Sequence, residues 1–146
     1  MGEIEIRSEV RNLGISIPRL KGAARKILNL LHLSQASLSV LLVDDRKIRR
    51  LNRRYLAHNR PTDVIAFGQL PGPLPKRGRF LLGDIVISVP TAKRQAPRYG
   101  NPLFYEICFY LCHGILHLLG WKDKSKKEAF KMRRKQEAVL KHIGIS

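Results

Sequence analysis

The sequence predicts an α+β fold in which a mixed sheet of about four strands packs against about five helices. Strand-like segments alternate with segments of helical periodicity along most of the chain. Two strand-like segments, 62–68 and 80–88, are instead joined by a loop rich in proline and glycine, which indicates a mixed sheet. A chain of 146 residues is long enough to bury a core and fits one domain. We therefore expect residues 1–146 to form a single domain.

The first half of the chain predicts two strands, each followed by a helix. Ile4 and Ile6 alternate with charged residues, as in an edge strand. Pro18 suits the first turn of an amphipathic helix whose apolar residues recur at helical spacing. Residues 37–44 are almost continuously apolar, as in a buried central strand. The basic segment that follows begins with two aspartates, Asp44 and Asp45, which suit a helix N-terminus.

The middle of the chain predicts two strands and a short helix. Residues 62–68 are expected to form a buried strand and residues 80–88 a further strong strand, in which Gly83 predicts a bulge or a close backbone approach. Residues 71–79 hold three prolines and two glycines, which predicts a loop. The short helix begins near residue 89, and Pro97 and Gly100 bring it to an end.

Two further helices complete the predicted fold. Asn101 is the expected N-cap of a long helix that continues to Leu118 and is apolar nearly all round, so it should lie at the centre of the core. Gly120 ends that helix. Ser125 and Glu128 form a capping box for a last helix that runs to about residue 142. Its expected core residues are Ala129, Met132, Val139 and Ile143.

The charge of the chain predicts a polyanionic partner. It has 28 Lys and Arg against 11 Asp and Glu, a formal charge of +17, which favours nucleic acid over an anionic membrane or a merely solvated basic surface. No apolar run reaches the roughly 18 residues of a membrane span, and the charged opening predicts no signal peptide. Cys108 and Cys112 are poorly placed to bridge within one helix, which indicates reduced, buried thiols and a cytoplasmic location.

Residues 112–123 predict a metal site on the buried central helix. His113 and His117 are one helical turn apart, so both rings can reach a single cation. The chain turns at Gly120, and Asp123 can supply a third ligand, which leaves a fourth position for water. Two alternatives stay open: buried histidines often only hydrogen-bond to neighbours, and Asp123 could cap the next helix. Gly114 replaces the glutamate of an HExxH peptidase, which disfavours peptide hydrolysis.

Three sequence blocks resemble one known family. HGILHLLGW, 113–121, resembles the HGxLHLxGY signature of the YbeY endoribonucleases; residues 51–67 resemble that family's LNxxYRxxxxPTDVLSF segment, and residues 81–88 its LLGDIVI strand. The resemblance implies a YbeY-like, metal-dependent endoribonuclease domain that cuts single-stranded RNA. It also implies maturation of the 3′ end of small-subunit ribosomal RNA, a part in ribosome quality control, and one divalent ion, Zn²⁺. The implied partners are ribosomal RNA and the small ribosomal subunit.

The chain departs from the family pattern at two positions. Asp123 stands where a third histidine is usual, so the implied metal ligands and catalytic group are His113, His117 and Asp123. A carboxylate ligand makes the ion a weaker Lewis acid than a third imidazole would. Leu56 stands where many members have an arginine that works on the phosphate. The RNA-binding candidates nearby, for each of which a solvated surface is the alternative, are Arg53, Arg54, His58 and Arg60.

The resemblance leaves part of the mechanism open. The hypothesis is that a zinc-like ion activates water for attack on an RNA phosphodiester, with basic residues neutralising the phosphate. The general base is unassigned, and the 2′-hydroxyl of RNA is an alternative nucleophile. Asp63 and Asp84 are expected to be structural or to orient a metal-bound imidazole. A non-catalytic ribosome-assembly factor whose metal only stabilises the fold is the alternative function.

Overall fold

The computed structural model describes residues 1–56, 64–68, 74–75 and 78–146. Within them, five helices and four strands follow one another. They are β1 (Ile4–Ser8), α1 (Ile17–Leu30), β2 (Ala36–Val43), α2 (Asp45–Leu56), β3 (Val64–Gly68), β4 (Phe80–Ser88), α3 (Val89–Arg98), α4 (Leu103–Leu118) and α5 (Lys126–His142).

The four strands form one mixed sheet in the order β1-β2-β4-β3. β1, β2 and β4 are parallel, whereas β3 pairs antiparallel with β4, so the predicted α+β class is confirmed. The expectation that residues 62–68 form a buried strand is wrong for the described part of that segment. β3 lies at the sheet edge, and only Ile65 in it is buried.

Helices lie on both faces of the sheet, but the apolar core is much larger on one face than on the other. The larger core lies on the face covered by α1 and α4, and it includes Ile85 and Ile87 of β4. Val86 points to the other face, where it joins a small apolar cluster with Val43, Ile48 and Ile65 under α2. α4 is therefore the central helix, packed against β3, β4, α1, α3 and α5.

Gly83 brings α4 and β3 close to β4. A Cβ atom built on Gly83 would lie 2.4 Å from the carbonyl oxygen of Phe67 and 2.8 Å from Cδ2 of Leu118. The pairing of β2 with β4 also shifts register between Ser37 and Leu38, opposite this glycine. The bulge and the close approach predicted from Gly83 are both confirmed.

The helix ends follow the sequence closely, with one shift. Ser125 caps α5, and the reciprocal hydrogen bonds of the capping box with Glu128 are both present. α4 begins one residue later than expected, because Pro102 is its N-cap rather than Asn101. In the described part of the chain, no helix combines the length and the apolar character that a membrane span requires.

One face of α5 contains a polar residue among the apolar ones. Met132, Gln136, Val139 and Leu140 are buried. Ala129, expected in the core, is exposed, because the first turn of α5 borders an open cleft beside α4 rather than the core itself.

A carboxylate joins the N-terminal turns of α2 and α3. Asp45 accepts hydrogen bonds from the hydroxyls of Ser88 and Thr91, at 2.6 and 2.9 Å, and its other oxygen lies 2.8 Å from a guanidinium nitrogen of Arg94. Burial alone would raise the pKa of Asp45. The hydrogen bonds from Ser88, Arg94 and Thr91, together with the charge of Arg94, outweigh burial and lower that pKa below its usual value.

Candidate metal centre

The sheet-facing side of α4 explains the glycine at position 114. A Cβ atom on Gly114 would lie 3.0 Å from two side-chain carbons of Ile85 on β4, closer than side chains normally pack. A glutamate at this position would be directed into the sheet and would have to displace Ile85, so close packing favours a glycine here. His113 and His117 lie on the neighbouring face of the helix, where they are partly exposed.

The chain reverses direction directly after α4. Gly120 has a φ of +98°, a left-handed conformation that glycine adopts without strain. Its N–H donates to the carbonyl of His117, and the N–H of Trp121 donates to that of Leu116, both at 3.0 Å. This helix ending returns residues 121–123 alongside the last turn of α4, so the sequence-predicted turn is confirmed.

The reversal brings three potential ligands together. The Nε2 atoms of His113 and His117 are 3.0 Å apart. Oδ2 of Asp123 is 3.2 Å from the first and 3.4 Å from the second. The alternative that Asp123 only caps the next helix is wrong, because Ser125 is the N-cap of α5. His113, His117 and Asp123 thus form a group that could hold a metal ion.

Each imidazole is oriented by a hydrogen bond from its other nitrogen. Nδ1 of His113 donates to Oε1 of Gln136 at 3.0 Å, and the Gln136 amide donates in turn to the carbonyl of Phe109 at 3.0 Å. Nδ1 of His117 donates to the carbonyl of Trp121 at 2.9 Å. Both acceptors are oxygens without a proton to offer, so the neutral rings carry their protons on Nδ1 and direct their Nε2 lone pairs at each other.

The resulting donor set suits a cation. Two nitrogen lone pairs and a carboxylate oxygen face a common point, and such groups repel one another unless positive charge lies between them. Two imidazoles and one carboxylate are ligands that several divalent transition metals accept. The side chains of His113, His117 and Asp123 are 22%, 32% and 37% exposed, so one side of the group is open to solvent and to substrate.

Gln136 is the site residue that sequence reasoning missed. α5 is rich in Lys and Arg, and its single glutamine is inconspicuous among them. Its spacing from Met132 and Val139, however, places it on the buried face of the helix, where it is only 2% exposed. A buried polar side chain needs hydrogen-bond partners, and that requirement is the signal that could have identified it.

Neither predicted aspartate is shown to orient an imidazole. Asp84 alternates with Ile85 on β4, so its side chain lies on the sheet face opposite α4, in a cleft that Arg7 and Lys47 also line. The Nδ1 atoms of both histidines are bound by Gln136 and Trp121, so Asp84 does not orient either ring, and the structural role that was the other alternative stays a prediction. Asp63 lies outside the described residues.

Two of the predicted RNA-binding residues are described, and they line a cleft that does not include the metal group. Arg53 and Arg54 are exposed on α2 and line a cleft with Lys47, Arg50 and Leu51. That cleft contains no member of the metal group. His58 and Arg60 lie outside the described residues. The cleft that does contain His113 and Asp123 is lined by an arginine of α5, Arg133.

The two cysteines of α4 are free and fully buried, as predicted. Burial raises the pKa of Cys108 and of Cys112 to about 12. The thiolate is disfavoured in this apolar environment. They are therefore structural residues of the central helix, although Cys112 directly precedes His113.

The chain is similar to known proteins of one family. A protein-family model described as Endoribonuclease YbeY matches residues 5–144. Among curated proteins, the chain is similar to three that carry that same name. It is 47% identical over 124 residues to one from Myxococcus xanthus, covering 84% of this chain and 42% of that one. It is 36% identical over 148 residues to one from Geobacter metallireducens, which covers 98% of this chain and 99% of that one. It is 40% identical over 144 residues to one from Persephonella marina, which covers 98% of this chain and 94% of that one.

The fold is also similar to a solved structure. The solution structure of a protein from Thermotoga maritima superimposes on it with a TM-score of 0.61. The match covers 95% of this chain and 90% of that one, and the two sequences are 28% identical. The chain spans less than half the length of the Myxococcus relative but nearly all of the Geobacter and Persephonella relatives.

Proposed function

This chain belongs to the YbeY endoribonuclease family, and from that premise we propose that it cuts single-stranded RNA during maturation of the 3′ end of small-subunit ribosomal RNA and takes part in ribosome quality control. The observation that carries the proposal is the convergence of His113, His117 and Asp123 at one point. We propose these three as the metal-binding and catalytic group, within one domain that spans residues 1–146.

The proposed ion is zinc. Ligand atoms at about 2.0–2.2 Å from a tetrahedral zinc ion are about 3.3–3.6 Å apart, and the three distances in this group are 3.0, 3.2 and 3.4 Å. A bound divalent ion supplies Lewis acidity, which activates water and polarises a phosphoryl oxygen. Gln136 and the carbonyl of Trp121 hold both imidazoles so that little rearrangement is needed on binding.

The proposed substrate is a phosphodiester rather than a peptide bond. Gly114 packs against Ile85 and offers no carboxylate to shuttle a proton to an amine leaving group. Cleavage of a phosphodiester depends more on neutralising charge, which the net charge of +17 favours. Arg53, Arg54, His58 and Arg60 remain proposed RNA contacts, and Arg53 and Arg54 would bind RNA in the cleft that they line on α2.

The proposed setting is the small ribosomal subunit in the cytoplasm. The excess of Lys and Arg suits binding to ribosomal RNA through its backbone phosphates, with affinity that falls steeply with salt. The relatives are named as endoribonucleases, and the alternative of a non-catalytic assembly factor is not favoured.

The test compares metal content with RNA cleavage. Purified wild-type protein, His117→Ala and the control His142→Ala, which changes an exposed histidine at the end of α5, are assayed on a fragment that spans the 3′ end of small-subunit ribosomal RNA. We expect wild type and the control to bind one divalent ion and to cut the fragment, and His117→Ala to lose both properties. Stoichiometric metal without metal-dependent cleavage in the wild type would contradict the proposal.

A further inference from the structure

A cleft runs beside the metal group between α4 and α5. Its volume is about 320 Å³, at the lower end of the range for small-ligand sites. Residues of α4 and α5 line its two walls, and Asp123 lies between them. The lining residues are Phe109, Tyr110, His113, Asp123, Ala129, Phe130, Arg133 and Gln136. A group that entered this cleft would therefore lie against two of the three proposed metal ligands.

Phe130 on the α5 wall is unusually exposed for its type. Its relative exposure is 60%, so the ring adds little to the core. The guanidinium of Arg134 lies 5.7 Å from the centre of this ring, and Lys131 is next to it in sequence. Exposed aromatic rings among cations are the combination with which proteins hold single-stranded nucleic acids, through base stacking and phosphate contacts.

Arg133 supplies a positioned positive charge in the same cleft. Its guanidinium lies 5.4 Å from the ring centre of Tyr99 and 5.7 Å from that of Phe109, and it pairs with Glu137 at 3.4 Å. The side chain nevertheless remains 54% exposed. Contacts with two rings and a carboxylate restrict the side chain at the cleft wall, while its exposed N–H groups can still reach a phosphate.

The surroundings of the cleft are strongly basic. The turn before α5 and the helix itself carry a dense set of Lys and Arg residues, most of them exposed, and few acidic residues beyond Glu128 and Glu137. The basic residues are Lys122, Lys124, Lys126, Lys127, Lys131, Arg133, Arg134, Lys135 and Lys141, and the same stretch includes a third acidic residue, the proposed metal ligand Asp123. The positive electrostatic field of these residues attracts a polyanion such as RNA toward the cleft.

From these observations we infer that the α4–α5 cleft is a subsite for one unstacked nucleotide of the RNA, whose base stacks on Phe130 while its phosphate pairs with Arg133. The inference rests on the proposed function, since it concerns the same RNA. It also gives the guanidinium of Arg133 a role in the cleft that His113 and Asp123 line. Stacking tolerates any base, so the subsite selects unpaired RNA without selecting sequence.

The stacking half of the inference is tested by binding, without cleavage. A single-stranded RNA oligonucleotide with one 2-aminopurine is titrated with full-length protein in EDTA, and anisotropy and base fluorescence are both recorded. We expect Phe130→Ala and Phe130→Leu to weaken binding about 5- to 150-fold and to abolish fluorescence quenching. Phe130→Trp should restore both. Leu81→Ala, which shortens an exposed apolar side chain outside the cleft, should match wild type.

The phosphate half is tested by salt dependence. Arg133→Met should reduce the magnitude of the slope of log affinity against log salt concentration by about one. The control is Arg7→Met, which removes the same charge from an exposed residue of β1 and should reduce that slope less. Equal slopes for these two variants, or wild-type affinity and quenching in Phe130→Leu, would overturn the subsite. Failure of the proposed function is distinguishable, because it would leave these binding results intact and abolish only metal-dependent cleavage.

Discussion

The amide of Gln136 on α5 accepts a hydrogen bond from Nδ1 of His113 on α4 at 3.0 Å. This contact ties the orientation of a proposed metal ligand to the docking of the last helix. The amide is itself fixed by its hydrogen bond to the carbonyl of Phe109, so the direction of the His113 lone pair depends on three residues from two helices.

Replacing Gln136 should weaken metal binding without removing a ligand. We expect Gln136→Ala to lower metal affinity about 10- to 100-fold, because the His113 ring loses the group that fixes its orientation and its proton. Competition with a chromogenic chelator measures the affinity. Gln35→Ala, at an exposed position, should bind as wild type does. Unchanged affinity in folded Gln136→Ala would show that the hydrogen bond is dispensable.

Adding a methyl group should have opposite effects at two helical glycines. Gly114→Ala should lower the free energy of unfolding by about 1–3 kcal/mol, because its Cβ would press on Ile85. Gly22→Ala in α1 meets nothing within 4 Å and should raise that free energy by about 0.5–1 kcal/mol through helix propensity. Urea denaturation of the two variants measures both. A stabilised Gly114→Ala would contradict the tight packing of α4 on β4.

The Asp45 network should make stability depend on acidity. The pKa of Asp45 is lower in the folded protein than the usual 3.8, so its ionised form stabilises the fold fully above that usual value. The contribution is lost as pH falls from about 4 through the folded pKa. We expect Asp45→Asn to destabilise the protein by about 1–3 kcal/mol at pH 7.

The pH series separates this effect from general acid unfolding. The difference in unfolding free energy between wild type and Asp45→Asn should shrink toward zero as pH falls below about 4. Glu5→Gln, which alters an exposed ion pair with Arg7, should stay within about 0.5 kcal/mol of wild type throughout. A difference for Asp45→Asn that did not change with pH would show that the carboxylate charge is unimportant there.

The thiols of α4 should resist alkylation in the native state. Burial raises the pKa of Cys108 and Cys112 to about 12, and both are inaccessible, so at pH 8 very little reactive thiolate is present. We expect iodoacetamide to modify neither cysteine until denaturant is added, as measured by mass spectrometry. Rapid labelling of native protein would contradict the packing of α4.

Most of the fold could be predicted from local patterns. Helical spacing, the capping pair Ser125 and Glu128, and the glycines at 83 and 120 each carry information within a few residues, and the structure agrees with them. The edge position of β3 could not be predicted, because strand order depends on pairing between distant segments. The N-cap at Pro102 differs by one residue from the expected Asn101, a normal uncertainty at helix ends.

The site was predictable as far as its residues are close in sequence. The i and i+4 spacing and the turn at Gly120 were enough to bring His113, His117 and Asp123 together. The roles of Gln136 and Arg133 depend on how α5 docks against α4, which no local pattern specifies. Likewise, α2 packs under the opposite face of the sheet, and only the tertiary arrangement determines that Arg53 and Arg54 line a cleft without any member of the metal group.

The proposed ligands and their orienting partners all come from one contiguous stretch, residues 113–136, that folds as a helical hairpin. An ion held there would join the end of α4 to the turn at Asp123 that leads into α5, so an opening of the hairpin that moved Asp123 away from α4 would have to release the ion. Binding of a divalent ion to the metal group should consequently slow amide hydrogen exchange in α5, by a factor that grows with the concentration of the ion. The catalytic centre would then also determine how firmly the C-terminal helix stays docked.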